Sequence, residues 1–198
     1  RFMKTKLDTQ SRFRDKTVAL HNFVDAVEPV AVEKEDYVLE FGHLCRDKGT
    51  LTQLEVARRM PHVRFLFAGY GEAEAQIAQV ENAEYVGFKT GTDLEMLIRK
   101  AKVSVYPSAW YENCPFSVIE SQMYGTPVIG SRMGGIPELI AEGQTGELFE
   151  AQNVDELEQK LRKLLETPGL LERYAQACLS HEFETAESYY QKLMRIYG

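Results

Sequence analysis

The sequence predicts an α/β protein in which helices flank a parallel β-sheet. Short apolar runs alternate along the chain with amphipathic stretches, which is the pattern that repeated strand–helix units produce. At 198 residues, 44% of them hydrophobic, the chain can bury a core of this kind. No internal repeat or low-complexity segment indicates a solenoid or a linker protein.

Strands are predicted at five apolar runs that lie between turn-forming residues. These runs cover residues 37–41, 63–67, 84–86, 103–106 and 127–130. The last two are bounded by glycine and proline and are typical of strands buried on both faces. A sixth candidate strand, residues 17–20, is a short run that precedes the others.

Helices are predicted between these strands, where apolar residues recur at helical spacing. The first stripe consists of Leu51, Leu54, Ala57 and Met60. The second consists of Leu94, Leu97, Ile98 and Ala101. Thr92 and Glu95 have the spacing of a capping box and predict the start of this second helix. Both helices are expected to cover the sheet.

Two further helices are predicted towards the C-terminus. Asn153 and Glu156 have a box-like spacing, and the leucine-rich stretch that follows is predicted to be a helix closed by Pro168 and Gly169. The last helical stretch covers residues 182–197, where several aromatic side chains are expected to be exposed.

Charge and cysteine content exclude several classes of protein. Lys and Arg number 23 against 30 Asp and Glu, a net charge of −7, so neither a nucleic-acid partner nor a broad basic surface is expected. Three cysteines without metal-ligand spacing predict free thiols and a cytoplasmic setting. No apolar run approaches the ~20 residues that cross a bilayer. Because the chain begins at Arg1, it is interpreted as an excised piece.

Two acidic residues flank a predicted helix start. Seven residues separate Glu112 from Glu120, and Pro115 between them fits the first helical position. Unpaired N–H groups at such a start favour an anion such as phosphate. At a rise of ~1.5 Å per residue, the two acids can reach different parts of one extended ligand. The layout predicts a ligand with sugar hydroxyls at both ends and phosphate between them.

Short motifs also follow the predicted strand ends. In chain order they are Phe41-Gly-His-Leu44 with Lys48-Gly49, Ala68-Gly-Tyr-Gly-Glu72, Glu84-Tyr-Val-Gly-Phe88, Glu112-x7-Glu120, Gly125-Thr-Pro-Val-Ile-Gly130, Gly134-Gly-Ile-Pro-Glu138 and Thr145-Gly146. This ordered series resembles the C-terminal domain of retaining glycosyltransferases of family 4. The resemblance covers roughly residues 18 to 165.

The resemblance implies a domain organisation. The chain would be the Rossmann-like, donor-binding half of a two-domain GT-B enzyme, with a nucleotide-sugar-binding domain at residues 18–178. Residues 1–17 would be a remnant or linker from a missing N-terminal domain, and residues 179–198 a helix packing on it. That missing domain would supply most of the acceptor site and any peripheral membrane attachment.

The resemblance also implies roles for individual residues. Glu112 would be the catalytic residue that hydrogen-bonds hydroxyls of the transferred sugar, Glu120 would bind the ribose hydroxyls, and Lys48 would be the cation on the diphosphate. The other donor contacts near the diphosphate would be Gly42, His43, Asn113, Cys114, Pro115, Phe116, Ser117 and Val118. Gly69, Gly71, Val86 and Phe88 would border the nucleotide base.

His43 departs from the family pattern. The family usually places an arginine there as a second cation on the diphosphate, and an imidazole is only partly charged at neutral pH and forms no guanidinium fork. Donor affinity is therefore expected to depend on pH, or Arg46 is expected to reach the site instead.

The implied reaction transfers a sugar from a UDP- or GDP-sugar to a hydroxyl of a glycan, lipid-linked or other acceptor, with retained anomeric configuration. No cofactor is expected, and no metal, because the chain lacks an Asp-x-Asp clamp. Two alternatives stay open at this point. The chain could be a non-catalytic nucleotide-binding module or part of a GT-B-type sugar epimerase.

Overall fold

The structure is a computed structural model that describes residues 1–25, 27, 30 and 32–198. A six-stranded sheet organises this part of the chain. Its strands are β1 (Glu35–His43), β2 (Arg64–Tyr70), β3 (Ala83–Gly87), β4 (Ala101–Tyr106), β5 (Val128–Ser131) and β6 (Gly146–Phe149). All neighbouring strands pair in parallel, in the order β3-β2-β1-β4-β5-β6. The predicted parallel α/β sheet is confirmed, and its order is that of a doubly wound fold.

Helices alternate with the strands and then follow the last one. They are α1 (Phe2–Asp8), α2 (Thr50–Arg59), α3 (Glu74–Ile77), α4 (Gly91–Lys100), α5 (Phe116–Met123), α6 (Val154–Glu166), α7 (Leu170–Leu179) and α8 (Ala186–Tyr197), with a 3-10 turn at Ile136–Glu138. None of the helices within the described residues is both long enough and apolar enough to span a membrane.

Helices bury apolar side chains against both faces of the sheet. On one face, Leu54 of α2 and Leu161 of α6 pack in a cluster with Phe65 and Phe67 of β2. On the other, Ile98 of α4 packs with residues of β1 and β2. Fully burying one such side chain contributes about 1.5–3 kcal/mol. The sheet is therefore covered on both faces, and its ligand-accessible part is an edge.

The sixth strand was predicted in the wrong place. Residues 17–20 form no strand, and Val18 is 62% exposed, so that run has no buried face to pack. The sixth strand is β6, where Glu147 interrupts the apolar pattern although the residue is only 1% exposed. Lys160, Lys163 and Tyr174 all bond to its carboxylate and compensate the buried charge.

Helix starts were predicted with mixed success. The Asn153 cap is confirmed, because its side chain accepts a hydrogen bond from the backbone N–H of Glu156. The capping box at Thr92 is wrong, since α4 begins at Gly91 after Thr90 and the Glu95 carboxylate bonds to Arg99 instead. A helix was expected from residue 182, whereas α8 begins four residues later.

One side chain of the first predicted stripe faces solvent. Leu54, Ala57 and Met60 are fully buried, whereas Leu51 is 38% exposed. A strict three-residue repeat drifts around a helix that has 3.6 residues per turn, so the first member of the stripe rotates out of the interface.

Candidate functional site

The candidate site lies where the sheet changes direction. Chain connections from β1 lead towards β2 on one side, and those from β4 lead towards β5 on the other. A crevice therefore opens at the carboxyl ends of β1 and β4, the place where doubly wound sheets bind ligands. A cavity of about 150 Å³ occupies it, lined by Glu40, Phe41, Gly42, His43, Lys48, Tyr106, Pro107 and Ser117.

A larger cavity of about 440 Å³ lies at the opposite edge of the sheet. Its lining includes Lys34, which immediately precedes β1, and Lys102 at the start of β4. Among the described residues that line this larger cavity, none is a predicted site residue. Position at the switch point, rather than size, therefore identifies the smaller cavity as the candidate site.

Glu112 and Lys48 meet at the mouth of this crevice. Lys48 Nζ lies 2.5 Å from Glu112 Oε1, and Ser108 Oγ donates to the same oxygen over 2.9 Å. The two side chains of the ion pair, lysine and glutamate, are 31% and 13% exposed, respectively. Burial, the charge of Glu112 and a hydrogen bond to it all raise the pKa of Tyr106. The fold thus brings together two residues that are 64 positions apart in the sequence, the predicted sugar-binding acid and the predicted diphosphate cation.

Two glycines hold the Glu112 loop in place. The backbone N–H of Gly135 donates to the Glu112 carbonyl over 2.7 Å. A Cβ at Gly134 would lie 2.2 Å from that carbonyl oxygen, and one at Gly135 would lie 1.9 Å from the Asn113 carbonyl oxygen. On another side of the loop, Asn22 Nδ2 donates to the Cys114 carbonyl over 3.0 Å. The two glycines, which belong to the motif Gly134-Gly-Ile-Pro-Glu138, permit backbone-to-backbone packing around Glu112.

The helix after Glu112 starts one residue later than predicted. Pro115 has φ −68° and ψ 125°, so it is the N-cap, and α5 begins at Phe116. An extended residue at this position still leaves the next amides unpaired. Phe116 and Ser117 reach the surface, whereas Val118 is fully buried against the core. The residues that reach the surface at this helix start are therefore the first two of α5.

Glu120 and Cys114 lie in contrasting surroundings. Glu120 is half-buried, burial raises the pKa of its carboxyl, and no described residue donates a hydrogen bond to it. Its carboxylate therefore keeps its acceptor capacity for a ligand. For Cys114, burial raises the pKa of the thiol, so this side chain is not a preformed nucleophile.

Backbone packing at the ends of β1 and β2 requires glycine. Gly42 lies opposite Gly69 in the sheet register, and their φ angles are +126° and +144°. A Cβ at Gly69 would lie 1.8 Å from the Gly42 carbonyl oxygen, and one at Gly71 would lie 2.1 Å from that of Leu44. These predicted donor-contact glycines thus have a packing role whatever they bind.

A match to a known family is found over most of the chain. Residues 25–179 match the family described as Glycosyl transferases group 1. The chain belongs to this family. The matched segment contains the switch-point cavity and every residue that lines it.

Curated relatives of this group 1 chain are similar over shorter stretches. Sulfoquinovosyl transferase SQD2 of Arabidopsis thaliana is 31% identical over 134 residues, which is 65% of this chain and 26% of the relative. The MMP alpha-(1->4)-mannosyltransferase of Mycolicibacterium hassiacum is 33% identical over 107 residues, 52% of this chain and 26% of the relative. The alignments therefore span about a quarter of these proteins.

Solved structures show the same fold. A glycosyltransferase from Rickettsia africae superposes with a TM-score of 0.81 at 19% identity, covering 99% of this chain and 60% of that one. S. aureus TarM, in a complex that contains UDP, gives 0.76 at 20% identity over 89% and 38% of the two chains. The chain thus has the Rossmann-like fold of one half of a GT-B glycosyltransferase.

An aromatic row follows the carboxyl ends of β1, β2 and β3 in this group 1 domain. The His43 and Tyr70 rings stack with centroids 5.2 Å apart, and Phe88 meets Tyr70 edge-on at 5.8 Å. Tyr70 and Phe88 are 58% and 64% exposed. Val86, by contrast, packs against the core. Sequence reasoning assigned no role to Tyr70, although an aromatic residue between two glycines at a strand end was a usable signal.

The sequence predicts that His43 or Arg46 is a second cation on the diphosphate. His43 is exposed, and its Nε2 lies 4.0 Å from the Glu72 carboxylate. Cys45 completes a group of three donor atoms within 4.8 Å of one another. Arg46 is exposed on the loop after β1. A contact between the diphosphate and either His43 or Arg46 therefore stays a prediction.

Glu40 is another site residue that the sequence analysis did not predict. It is 3% exposed, lines the cavity, and accepts a hydrogen bond of 2.6 Å from Thr50 Oγ1. Burial raises the pKa of its carboxyl to about 8, against the smaller effect of the Thr50 bond. A charged residue inside the otherwise apolar run 37–41 was the signal that could have found it.

Proposed function

We propose that this chain is the donor-binding half of a retaining glycosyltransferase of family 4. The observation that carries the proposal is the junction of Lys48, Glu112 and the start of α5 at the switch-point cavity. Each of the three suits a different part of a nucleotide-diphosphate sugar. Family membership and the fold of group 1 glycosyltransferases support the same assignment.

The diphosphate is assigned to Lys48 and to the backbone N–H groups at the start of α5. A helix start carries a partial positive charge and donates hydrogen bonds to phosphate oxygens. Lys48 forms an ion pair with Glu112. Partly exposed ion pairs of this kind contribute about 0–1 kcal/mol, so an incoming dianion can compete for the ammonium group. The pair therefore orients both side chains without locking the lysine.

Hydroxyl groups are assigned to the two glutamates. Glu112 accepts hydrogen bonds from hydroxyls of the transferred sugar, and its loop is fixed by Gly135 and Asn22, so the contact is pre-organised. Glu120 accepts from the ribose diol, since a carboxylate can accept from both hydroxyls. The aromatic row at Tyr70 and Phe88 borders the base, which is a UDP or GDP base in this proposal.

The proposed reaction exchanges one bond at the anomeric carbon for another on the same face. The bond from this carbon to the diphosphate oxygen breaks, and the leaving group keeps the electron pair. The acceptor hydroxyl oxygen forms the new bond, and its proton passes to the leaving phosphate. Lys48 and the α5 amides stabilise the negative charge that develops on the diphosphate. Glu112 positions the sugar whose carbon becomes positive.

The remaining assignments concern the parts around this site. Residues 18–178 are proposed as the nucleotide-sugar-binding domain, residues 1–17 as a linker, and residues 179–198 as a segment that packs on an N-terminal acceptor-binding domain. The protein is proposed to act in the cytoplasm, with any peripheral membrane contact made through that other domain, on a glycan, lipid-linked or other hydroxyl acceptor.

Calorimetry and one substitution test the proposal. The chain is titrated with UDP, GDP and ADP, and then with the sugar conjugate of the nucleotide that binds. In the full-length protein, Glu112→Ala is expected to lower transfer at least about a hundredfold, because a contact to the reacting sugar is lost. Nucleoside diphosphate should still bind, because Lys48 and the backbone N–H groups of α5, rather than Glu112, contact the phosphates.

Glu166→Ala is the matched control, since Glu166 is 58% exposed on α6. It should change neither transfer nor binding. Binding of no nucleotide would overturn the proposal. Retained transfer in Glu112→Ala would remove the role of Glu112, and a protein that binds nucleotide without any transfer would be a binding module.

A further inference from the structure

Glu40 lies in β1 with one carboxyl oxygen satisfied and one not. The residue is 3% exposed, and Oε1 accepts from Thr50 Oγ1 at 2.6 Å. Oε2 is buried and has no hydrogen-bond partner within the described residues. Leaving such a group unpaired is energetically unfavourable. A buried polar oxygen without a partner calls for an explanation, such as a catalytic role or a water or ion beside it.

The side chain lines the cavity at the switch point. Lys48, Gly42 and Ser117 line the same cavity, and its volume is about 150 Å³. A single water needs only about 10–15 Å³ of such volume, so there is room for a larger polar group. The positive ends of α2 and α5 and the ammonium of Lys48 favour an anion there.

The charge state of Glu40 decides whether it helps or opposes an anion. The groups that face it are Lys48 after β1, Thr50 of α2, Tyr106 of β4 and His43 at the end of its own strand, with Glu112 beyond Lys48. Lys48 is already paired with Glu112. Burial raises the pKa of Glu40 to about 8, so most of the carboxyl is protonated at pH 7. Because Oε1 accepts from Thr50, the proton belongs on Oε2, which is then a donor.

We infer that Glu40 is a further ligand of the donor's diphosphate, held as a neutral acid whose Oε2–H donates to a phosphate oxygen in the cavity. This inference rests on the proposed function of the site. Ionisation of Glu40 removes the donor and adds a negative charge facing the diphosphate. Donor affinity therefore falls as the pH rises above neutrality.

The experiment measures the affinity of the isolated chain for UDP, GDP and ADP at pH 7, 8 and 9. Wild-type affinity for the nucleotide that binds should fall about tenfold between pH 7 and 9. The reason is that only the fraction of the chain with a protonated Glu40 can donate to the diphosphate. Glu40→Gln keeps an N–H donor and cannot ionise, so its affinity should match wild type at pH 7 within about threefold and stay constant to pH 9. Glu40→Leu should bind at least about fivefold more weakly at pH 7.

Three controls make the outcome specific. The corresponding nucleoside, which lacks phosphate, corrects for titration of the base. Thermal melts verify that each variant is folded. His43→Gln isolates the separate expectation that nucleoside diphosphate binds more tightly at pH 6 than at pH 8.

Each result has one meaning. An affinity that falls with pH in wild type but not in Glu40→Gln supports the inference. The same pH profile in both, or wild-type affinity in a folded Glu40→Leu variant, overturns it while leaving the proposed function standing. If wild type binds no nucleoside diphosphate at any pH, the proposed function and this inference both fail.

Discussion

At the residue scale, the site combines carboxyl groups in different environments. Glu112 is paired with a lysine at the crevice mouth, Glu120 is half-buried without a donor among the described residues, and Glu40 is enclosed with a hydroxyl on one oxygen. Burial penalises the charged form, and a nearby cation or donor offsets that penalty. The carboxyls of Glu112 and Glu120 are suited to accept from hydroxyls. Glu40 is suited to donate.

Glu40 also makes the stability of the free chain depend on pH. The pKa of Glu40 in the folded chain is about 8, above the ordinary value of 4.5. Between these two pH values the folded chain therefore holds a proton that the unfolded chain has released. The wild-type free energy of unfolding should therefore fall as pH rises from 5 to 8, and Glu40→Gln should lack this fall. We expect the difference between the two proteins to change by at least about 1 kcal/mol across this range.

Urea denaturation of both proteins at pH 5, 6, 7 and 8 measures this change. Glu166→Gln, on the exposed face of α6, should follow wild type at every pH. Parallel curves for wild type and Glu40→Gln would contradict a buried, neutral Glu40.

At the element scale, the loop between β4 and α5 is positioned by a second loop. Gly134 and Gly135 follow β5, and their backbone packs directly on the carbonyl groups of Glu112 and Asn113. Parallel strands β4 and β5 are neighbours, so the two loops emerge side by side at the same edge. The position of Glu112 therefore depends on residues more than twenty positions further along the chain.

A single methyl group tests this packing. Gly135→Ala should destabilise the chain by about 1–3 kcal/mol and weaken binding of the donor sugar, because its Cβ would lie 1.9 Å from the Asn113 carbonyl oxygen. Gly135 has an ordinary negative φ of −92°, so backbone strain does not contribute. Denaturation and calorimetry with the nucleotide sugar measure the two effects.

Gly169→Ala is the matched control. Gly169 has φ +72°, and a methyl group there would enter open space, so this change should cost only about 1–2 kcal/mol of backbone strain and leave donor binding intact. Equal losses of donor affinity in both variants would show that the glycine pair does not position the Glu112 loop.

At the whole-molecule scale, the chain spans only part of the relatives that it matches. It covers 26% of the first curated relatives and 60% of the Rickettsia africae structure. The cavity opens at the carboxyl edge of the sheet, and the exposed side chains of α8 include Tyr190 and Tyr197. The proposed function places the donor at this cavity and the acceptor on surfaces of another domain.

The isolated chain should bind donor but transfer no sugar at a measurable rate. Proximity and orientation of two reactants account for large factors in rate, so losing the acceptor site should lower transfer by at least about a thousandfold relative to the full-length protein. A radiolabelled-donor assay on both proteins, matched for nucleotide occupancy by calorimetry, measures the ratio. Transfer by residues 1–198 at the full-length rate would contradict the two-domain assignment.

The sequence by itself determined the parallel α/β class, five of six strands and the positions of the two acids. These depend on local patterns: apolar runs, helical spacing and residues that break helices. Ordered motifs also carried the resemblance to glycosyltransferases, which the family match bears out at the level of group 1. Local patterning failed at β6, because the charge on Glu147 is neutralised by residues of α6 and α7 that lie far along the chain.

Only the tertiary structure decided how the site is assembled. In the folded chain, Lys48 pairs with Glu112, and Gly135 packs against the Asn113 carbonyl. One buried carboxyl oxygen of Glu40 has no hydrogen-bond partner among the described residues. Such contacts join strand ends that are distant in sequence, and the pairing order of the sheet determines which ends are neighbours. Burial then sets the charge state of each carboxyl, and burial is a property of the packed molecule rather than of any segment.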